Sequence, residues 1–237
     1  MIRNILNMVP NCITLLNLLS GCIAIIFAFQ PTTPTAGLLG WEWAAIMMGA
    51  AAIFDFCDGA AARLLNAKSN IGKELDSLSD LVSFGVAPAL LLMNVLILAG
   101  AGSFSYIALF IPLMGALRLA KFNVDTEQSV TFKGMPIPAN AIFWIGFVAA
   151  MMQGKFHPTL GITIALIVAM GLLMVCNLPM FSLKMSSFSL RENFLRYFIV
   201  LATIIFIATL GIAGLATTIL LYIAISALQR IVKITTT

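Results

Sequence analysis

The chain has 237 residues, 61% of them hydrophobic and only 9% charged, with a mean hydropathy of +1.07. Soluble domains carry about a quarter charged residues, so this composition excludes a cytosolic globule, and its abundant apolar surface excludes disorder. The formal charge of +4, from 13 basic and 9 acidic residues, is split among short loops, which fits membrane topology and headgroup contact and argues against nucleic-acid binding.

The apolar runs at 160–174 and 198–221 lack the alternation of a membrane β-barrel. The expected fold class is therefore all-α, a polytopic helical membrane protein. A hydrocarbon core about 30 Å thick takes roughly 20 helical residues per span. Eight spans are expected, at about 13–30, 42–65, 75–98, 104–122, 138–153, 159–179, 195–212 and 215–230. Breaks such as Gln30-Pro31-Thr32-Thr33-Pro34 and His157-Pro158 separate most of them. No small-residue cleavage site follows a short apolar core after Met1-Ile2-Arg3-Asn4, so the first span is expected to be retained rather than cleaved.

Alternating loops put Arg3, then Arg63, Lys68 and Lys73, then Arg118, Lys121 and Lys133 on one side. Lys184, Arg191, Arg196, Arg230 and Lys233 follow on that side, leaving only Lys155 opposite. Basic loops stay cytoplasmic, so both termini are expected there, with the chain forming one membrane domain over 1–237. Within it, the hairpin at about 42–98 stands out chemically, and the spans at about 195–230 read as accessory.

Cys12, Cys22, Cys57 and Cys176 show no CxxC spacing and are expected to pack as small hydrophobes. His157 is the only histidine, which excludes a His-rich metal site and a Ser-His-Asp hydrolase.

The acids are the anomaly. Asp55 and Asp58 lie inside the second apolar stretch, and Asp76 and Asp80 begin the third. A carboxylate at membrane depth costs a few kcal/mol or more, about 2.5 at the least, unless it faces a partner or a cavity. Asp55 and Asp58 are spaced i,i+3 and Asp76 and Asp80 i,i+4, so each pair shares a helix face. Gly72 extends the second face, and Gly59 and Ala62 give the first a small surface that admits close approach. The segment Asn66-Ala67-Lys68-Ser69-Asn70 reads as a polar turn, and Glu74 suits the positive start of the next helix.

Four carboxylates meeting at the cytoplasmic end of a hairpin would repel one another. Divalent cations relieve that repulsion, and all-oxygen ligation selects Mg²⁺, Mn²⁺ or Ca²⁺ over zinc. Two ions about 4 Å apart form the usual clamp for in-line displacement at phosphorus, and Arg63 at the membrane edge suits phosphate oxygens. Buried acids also serve ion-transport pathways or structural ion pairs. A cation transporter would carry acids on more than one hairpin, whereas the last three expected spans contain none.

The pattern Asp55-x2-Asp58-Gly59-x2-Ala62-Arg63-x8-Gly72-x3-Asp76-x3-Asp80 resembles, at all eight fixed positions, the signature of the CDP-alcohol phosphatidyltransferase family. The resemblance implies a membrane enzyme that moves a phosphatidyl group from a CDP-linked lipid to an alcohol and releases CMP. It implies that Asp55, Asp58, Asp76 and Asp80 hold two divalent cations, Mg²⁺ or Mn²⁺ with Ca²⁺ as another occupant, and that Asp80 also deprotonates the incoming hydroxyl. It further implies that Gly59, Ala62, Arg63 and Gly72 line the nucleotide and diphosphate site, that Thr14 in Pro10-Asn11-x2-Thr14-x2-Asn17 approaches the nucleotide, and that the protein is a homodimer among membrane lipids.

Two further stretches, Arg118-Leu119-Ala120-Lys121-Phe122-Asn123 and Phe132-Lys133-Gly134-Met135-Pro136-Ile137-Pro138-Ala139, resemble the type II phosphatidylserine synthase branch of that family. CDP-diacylglycerol and L-serine are then the implied substrates. Lys121 stands where that branch often has Arg, and Asn140 where it has a small residue. A serine carboxylate needs cations near the metal site, and Arg118, Lys121 and Lys133 share its side. These cations also serve simply as topology markers, though Arg118 lies within a helical pattern instead of a loop. Other acceptors, such as glycerol 3-phosphate or inositol phosphate, keep the chemistry and change the pocket.

Overall fold

The computed structural model describes residues 2–67, 69–124, 134–178, 180 and 193–235, with side chains described from 8 to 229 within those ranges. Lys68, Lys133, Lys184 and Arg191, and the side chains of Arg3, Arg230 and Lys233, lie outside the described residues. The described chain is helical apart from a two-strand antiparallel ribbon, β1 (Pro34–Thr35) with β2 (Leu38–Leu39), in which Pro34 pairs with Leu39 and Thr35 with Leu38. It falls into two compact units, Met1–Leu119 and Ala120–Thr237.

The first unit opens with α1 (Ile2–Ala28), which carries Pro10 in its interior, and the β1–β2 ribbon leads into α2 (Gly40–Leu64). The Leu39 N–H donates to the Glu42 carboxylate at 2.8 Å, satisfying a backbone donor that the start of α2 would otherwise leave without a partner. The other end of α2 closes in a left-handed turn at Asn66, φ 49°. The Ala67 N–H reaches the Ala62 carbonyl at 3.0 Å and the Asn66 N–H reaches Arg63 at 3.3 Å, the bond pair of a Schellman stop.

The next helix, α3 (Asn70–Asp80), starts about five residues earlier than the expected span at 75–98. The reason is Ser69, whose Oγ accepts the Gly72 N–H at 3.0 Å and caps the helix. Continuous with it are a π-helical turn (Leu81–Val86) and α4 (Ala87–Leu98), whose Leu91, Leu92, Val95 and Leu96 are buried. Within this unit α1 packs on α2, α3, the π turn and α4. A 3₁₀ segment, Gly102–Leu109, leads into α5 (Phe110–Val124), which runs past the unit boundary.

The second unit holds α6 (Ile137–Met152), α7 (Leu160–Val175), α8 (Phe194–Leu210) and α9 (Gly214–Thr235). Its core is α6, with Phe143, Trp144, Phe147 and Val148 buried and the Trp144 Nε1–H donating to Asn140 at 3.1 Å. Between α8 and α9 the chain turns through Gly211, whose φ of 65° suits glycine alone at little cost, and the two helices pack on each other.

Among the described residues, five helical stretches are long and apolar enough to cross a membrane: Met8–Ala28, Gly40–Leu64, Asn70–Leu98, Gly102–Val124 and Phe194–Gln229. The stretches expected at 138–153 and 159–179 form α6 and α7, apolar helices of 16 residues each, shorter than a straight span needs. Cysteine packing differs from expectation. Cys12, Cys22 and Cys57 are exposed on α1 and α2, and Cys176, just past the end of α7, is half-buried.

Candidate active site

The tight turn between α2 and α3 decides the site. The Schellman stop and the Ser69 cap leave so few residues between the helices that α3 starts beside the end of α2. The faces carrying Asp55 and Asp58 on one helix and Asp76 and Asp80 on the other then converge. One oxygen from each of Asp55, Asp76 and Asp80 lies within 4.8 Å of the others.

Asp58 stands slightly apart from this trio. It is 6% exposed, faces the Thr14 side chain and the Gly59 backbone, and shares with Asp76 the wall of a cavity of about 610 Å³. That volume falls within the usual range for small-molecule sites. Asp76 thus belongs to both groupings and links the carboxylate trio to the cavity.

The cavity is lined by Pro10, Asn11 and Thr14 of α1, Asp58, Gly59 and Ala62 of α2, Ala67 and Ser69 of the turn, and Asn70, Gly72, Lys73 and Asp76 of α3. A side-chain carbon at Gly59 would meet nothing within 4 Å, so that glycine leaves room in front of Asp58. At Gly72 the same carbon would lie 2.9 Å from the Asn11 Oδ1, so a side chain there would press on α1. The Thr14 hydroxyl donates to the Pro10 carbonyl at 3.0 Å.

These residues suit divalent cations. Asp58 Oδ2 and Asp76 Oδ1 are buried oxygens without a hydrogen-bond partner, and a buried carboxylate oxygen is costly unless something positive meets it. Oxygen donors alone make up the set, the chemistry of Mg²⁺, Mn²⁺ or Ca²⁺.

The expected residues are brought together unevenly. Thr14, Asp58, Gly59, Ala62, Gly72 and Asp76 share the cavity, and Asp55 and Asp80 join Asp76 behind it. Arg63 is exposed at the end of α2 and does not line the cavity; nor does Arg118, which is 8% exposed on α5. Lys121 belongs to the second unit, where its Nζ donates to the Val175 carbonyl at 3.2 Å. Lys133 lies outside the described residues.

Sequence reasoning did not assign roles to Asn17, Ser69 or Lys73. The fully buried Asn17 donates its Nδ2–H to Asp80 at 3.2 Å, and Ser69 and Lys73 line the cavity. The signal for Asn17 was its amide inside an apolar span, three residues beyond Thr14 on the same face.

The family model of the CDP-alcohol phosphatidyltransferases matches residues 7–180. A CDP-diacylglycerol–serine O-phosphatidyltransferase from Mycobacterium leprae (strain TN) is 32% identical over 209 residues, 84% of this chain and 66% of that protein. Its counterpart from Bacillus subtilis (strain 168) is 37% identical over 155 residues, 65% of this chain and 80% of that protein. The one from Helicobacter pylori (strain ATCC 700392 / 26695) is 33% identical over 195 residues, 79% of this chain and 78% of that protein. The chain thus spans about two thirds of the length of the mycobacterial relative and close to four fifths of the other two. With the matched region covering both the carboxylate hairpin and the α1 wall of the cavity, this chain belongs to the CDP-alcohol phosphatidyltransferase family.

Proposed function

We propose that this protein transfers the phosphatidyl group of CDP-diacylglycerol to the hydroxyl of L-serine, giving phosphatidylserine and CMP. The observation that carries the proposal is the meeting of Asp55, Asp76 and Asp80 within 4.8 Å behind a cavity walled by Asp58, Gly59, Ala62 and Gly72. Serine as the acceptor is supported by the activity for which the relatives from three bacterial genera are named.

Asp55, Asp58, Asp76 and Asp80 would hold two divalent cations, Mg²⁺ or Mn²⁺ with Ca²⁺ as a further occupant, which when bound neutralise the diphosphate and the developing charge on the leaving CMP. The cytidine and its phosphate sit in the cavity, where Gly59 and Gly72 keep the walls low and Thr14 faces the nucleotide. Arg63 meets phosphate oxygens at its mouth. Asp80 takes the serine hydroxyl proton. The hydroxyl oxygen bonds to the β-phosphorus as the bond from that phosphorus to the bridging oxygen breaks, and CMP leaves with that oxygen. Direct displacement is favoured because divalent cations held by the carboxylates would let the acceptor hydroxyl attack in line, and the cavity wall holds no His that would pair with Thr14 or Ser69 in a triad-like setting.

Arg118, in the same unit as the carboxylates, is assigned to the serine carboxylate. For Lys121 and Lys133 that role rests on the side of the membrane assigned from sequence alone. The chain acts as one membrane domain of eight spans in the cytoplasmic membrane, both termini and the active site at the cytoplasmic face, as a homodimer. Spans through α6 and α7 require local thinning or flanking residues to complete the crossing.

The test is CMP release by purified protein from CDP-diacylglycerol with one alcohol at a time. Serine should support release and glycerol 3-phosphate should not. Consumption of glycerol 3-phosphate with serine left untouched would move the protein to another acceptor, and no release with any alcohol would overturn the transfer chemistry.

A further inference from the structure

The contact between α1 and the carboxylate helix is more elaborate than packing requires. Asn17 is fully buried and its Nδ2–H donates to Asp80 Oδ1 at 3.2 Å. An ionised carboxylate only accepts hydrogen bonds, so the amide must present its nitrogen to Asp80. Its own oxygen is thereby turned away and finds no partner. Leaving a buried amide oxygen unsatisfied costs stability, and a leucine of similar size would fill the same space without that cost. Asn17 therefore does something that packing does not.

Two further contacts lock this amide in register. The Ser83 hydroxyl, in the π-helical turn that starts one residue after Asp80, donates to the Asn17 carbonyl at 3.0 Å. One helical turn along α1, Gly21 lets the π turn approach so closely that a side-chain carbon there would lie 2.8 Å from the Ser83 Cα. Wide turns of this kind re-aim neighbouring side chains and recur at functional sites. The seam Asn17–Ser83–Gly21 thus fixes where Asp80 stands relative to α1.

We infer that Asn17 is a positioning residue for Asp80, holding one carboxylate oxygen so that the other is directed to the cation and the acceptor hydroxyl. This rests on the role of Asp80 proposed above. Asn17 touches no substrate in this scheme and acts only through the carboxylate it holds. Partners of this kind govern the orientation of metal ligands, and their loss typically lowers metal affinity or activity 10- to 100-fold.

The experiment uses the full-length protein in detergent, stripped of metal, with Asn17→Leu as the isosteric variant lacking a donor and Asn17→Ala in case the leucine does not fit. Mn²⁺ binding is read by electron paramagnetic resonance without substrate, alongside kcat, the KM for CDP-diacylglycerol and the unfolding temperature. The expected result is Mn²⁺ affinity weakened about tenfold and kcat lowered about 10- to 100-fold, with the CDP-lipid KM within about threefold of the parent. Either variant, folded and with both Mn²⁺ affinity and kcat within about threefold of the parent, would overturn the inference. So would unchanged Mn²⁺ binding with a raised CDP-lipid KM, which would make Asn17 a donor-binding residue, or unfolding of both variants, which would assign it to the fold. If the parent itself released no CMP with any alcohol, the proposed function would fail while the Mn²⁺ comparison still judged the positioning role.

Discussion

Asp80 is 9% exposed, takes the Asn17 amide on one oxygen and keeps company with Asp55 and Asp76. A base in this position must reach the acceptor hydroxyl, so its loss should slow the chemical step more than donor binding. Asp80→Asn should retain most CDP-diacylglycerol binding, followed by displacement of a labelled CMP analogue, and lose transfer at every pH tested. Near-normal transfer by that variant would remove Asp80 as base and as essential ligand. Arg118 offers a separate test of the acceptor. A buried charge-assisted hydrogen bond is worth about 1.5–3 kcal/mol, so Arg118→Ala should raise the KM for serine about ten- to a hundredfold with a much smaller effect on the CDP-lipid. Ethanolamine and serinol, which lack the carboxylate, should be poor acceptors for the parent and should suffer less from the substitution.

The element that makes the site is the α2–turn–α3 hairpin. One of its joints is the Ser69 cap, whose hydroxyl is the side-chain acceptor for the Gly72 N–H at the start of α3. Ser69→Ala should lower stability by about 1 kcal/mol, seen as a lower unfolding temperature in detergent, while Ser69→Asp, which keeps the cap, should not. The spacing of the four acids made this hairpin readable from the sequence, because i,i+3 and i,i+4 intervals leave only one face for each pair. The Asn66–Asn70 segment likewise reads as a turn from composition alone. Other features were not legible. The arrival of Asn17 beside Asp80 depends on how closely α1 approaches the π turn, which is set by Gly21 against Ser83 some sixty residues away. The π turn at Leu81–Val86 is equally silent, since its residues carry the same apolar pattern as the helix that follows. The exposure of Cys12, Cys22 and Cys57 was not legible either, because lipid and protein interior select the same side chains.

The proposed topology puts the hairpin turn and both termini at the cytoplasmic face. Single cysteines introduced into a variant with Cys12, Cys22, Cys57 and Cys176 replaced by Ala test this with a membrane-impermeant maleimide. Lys155→Cys should react from outside intact cells, and Asn70→Cys only after the membrane is opened; the reverse pattern would invert the topology. If one carboxylate hairpin turns bound divalent cations into phosphatidyl transfer, serine-dependent CMP release by metal-stripped protein must follow the metal. Release should fall to background in chelator and return on adding Mg²⁺ or Mn²⁺ to the parent but not to Asp58→Asn or Asp76→Asn, whereas full turnover in chelator would contradict it.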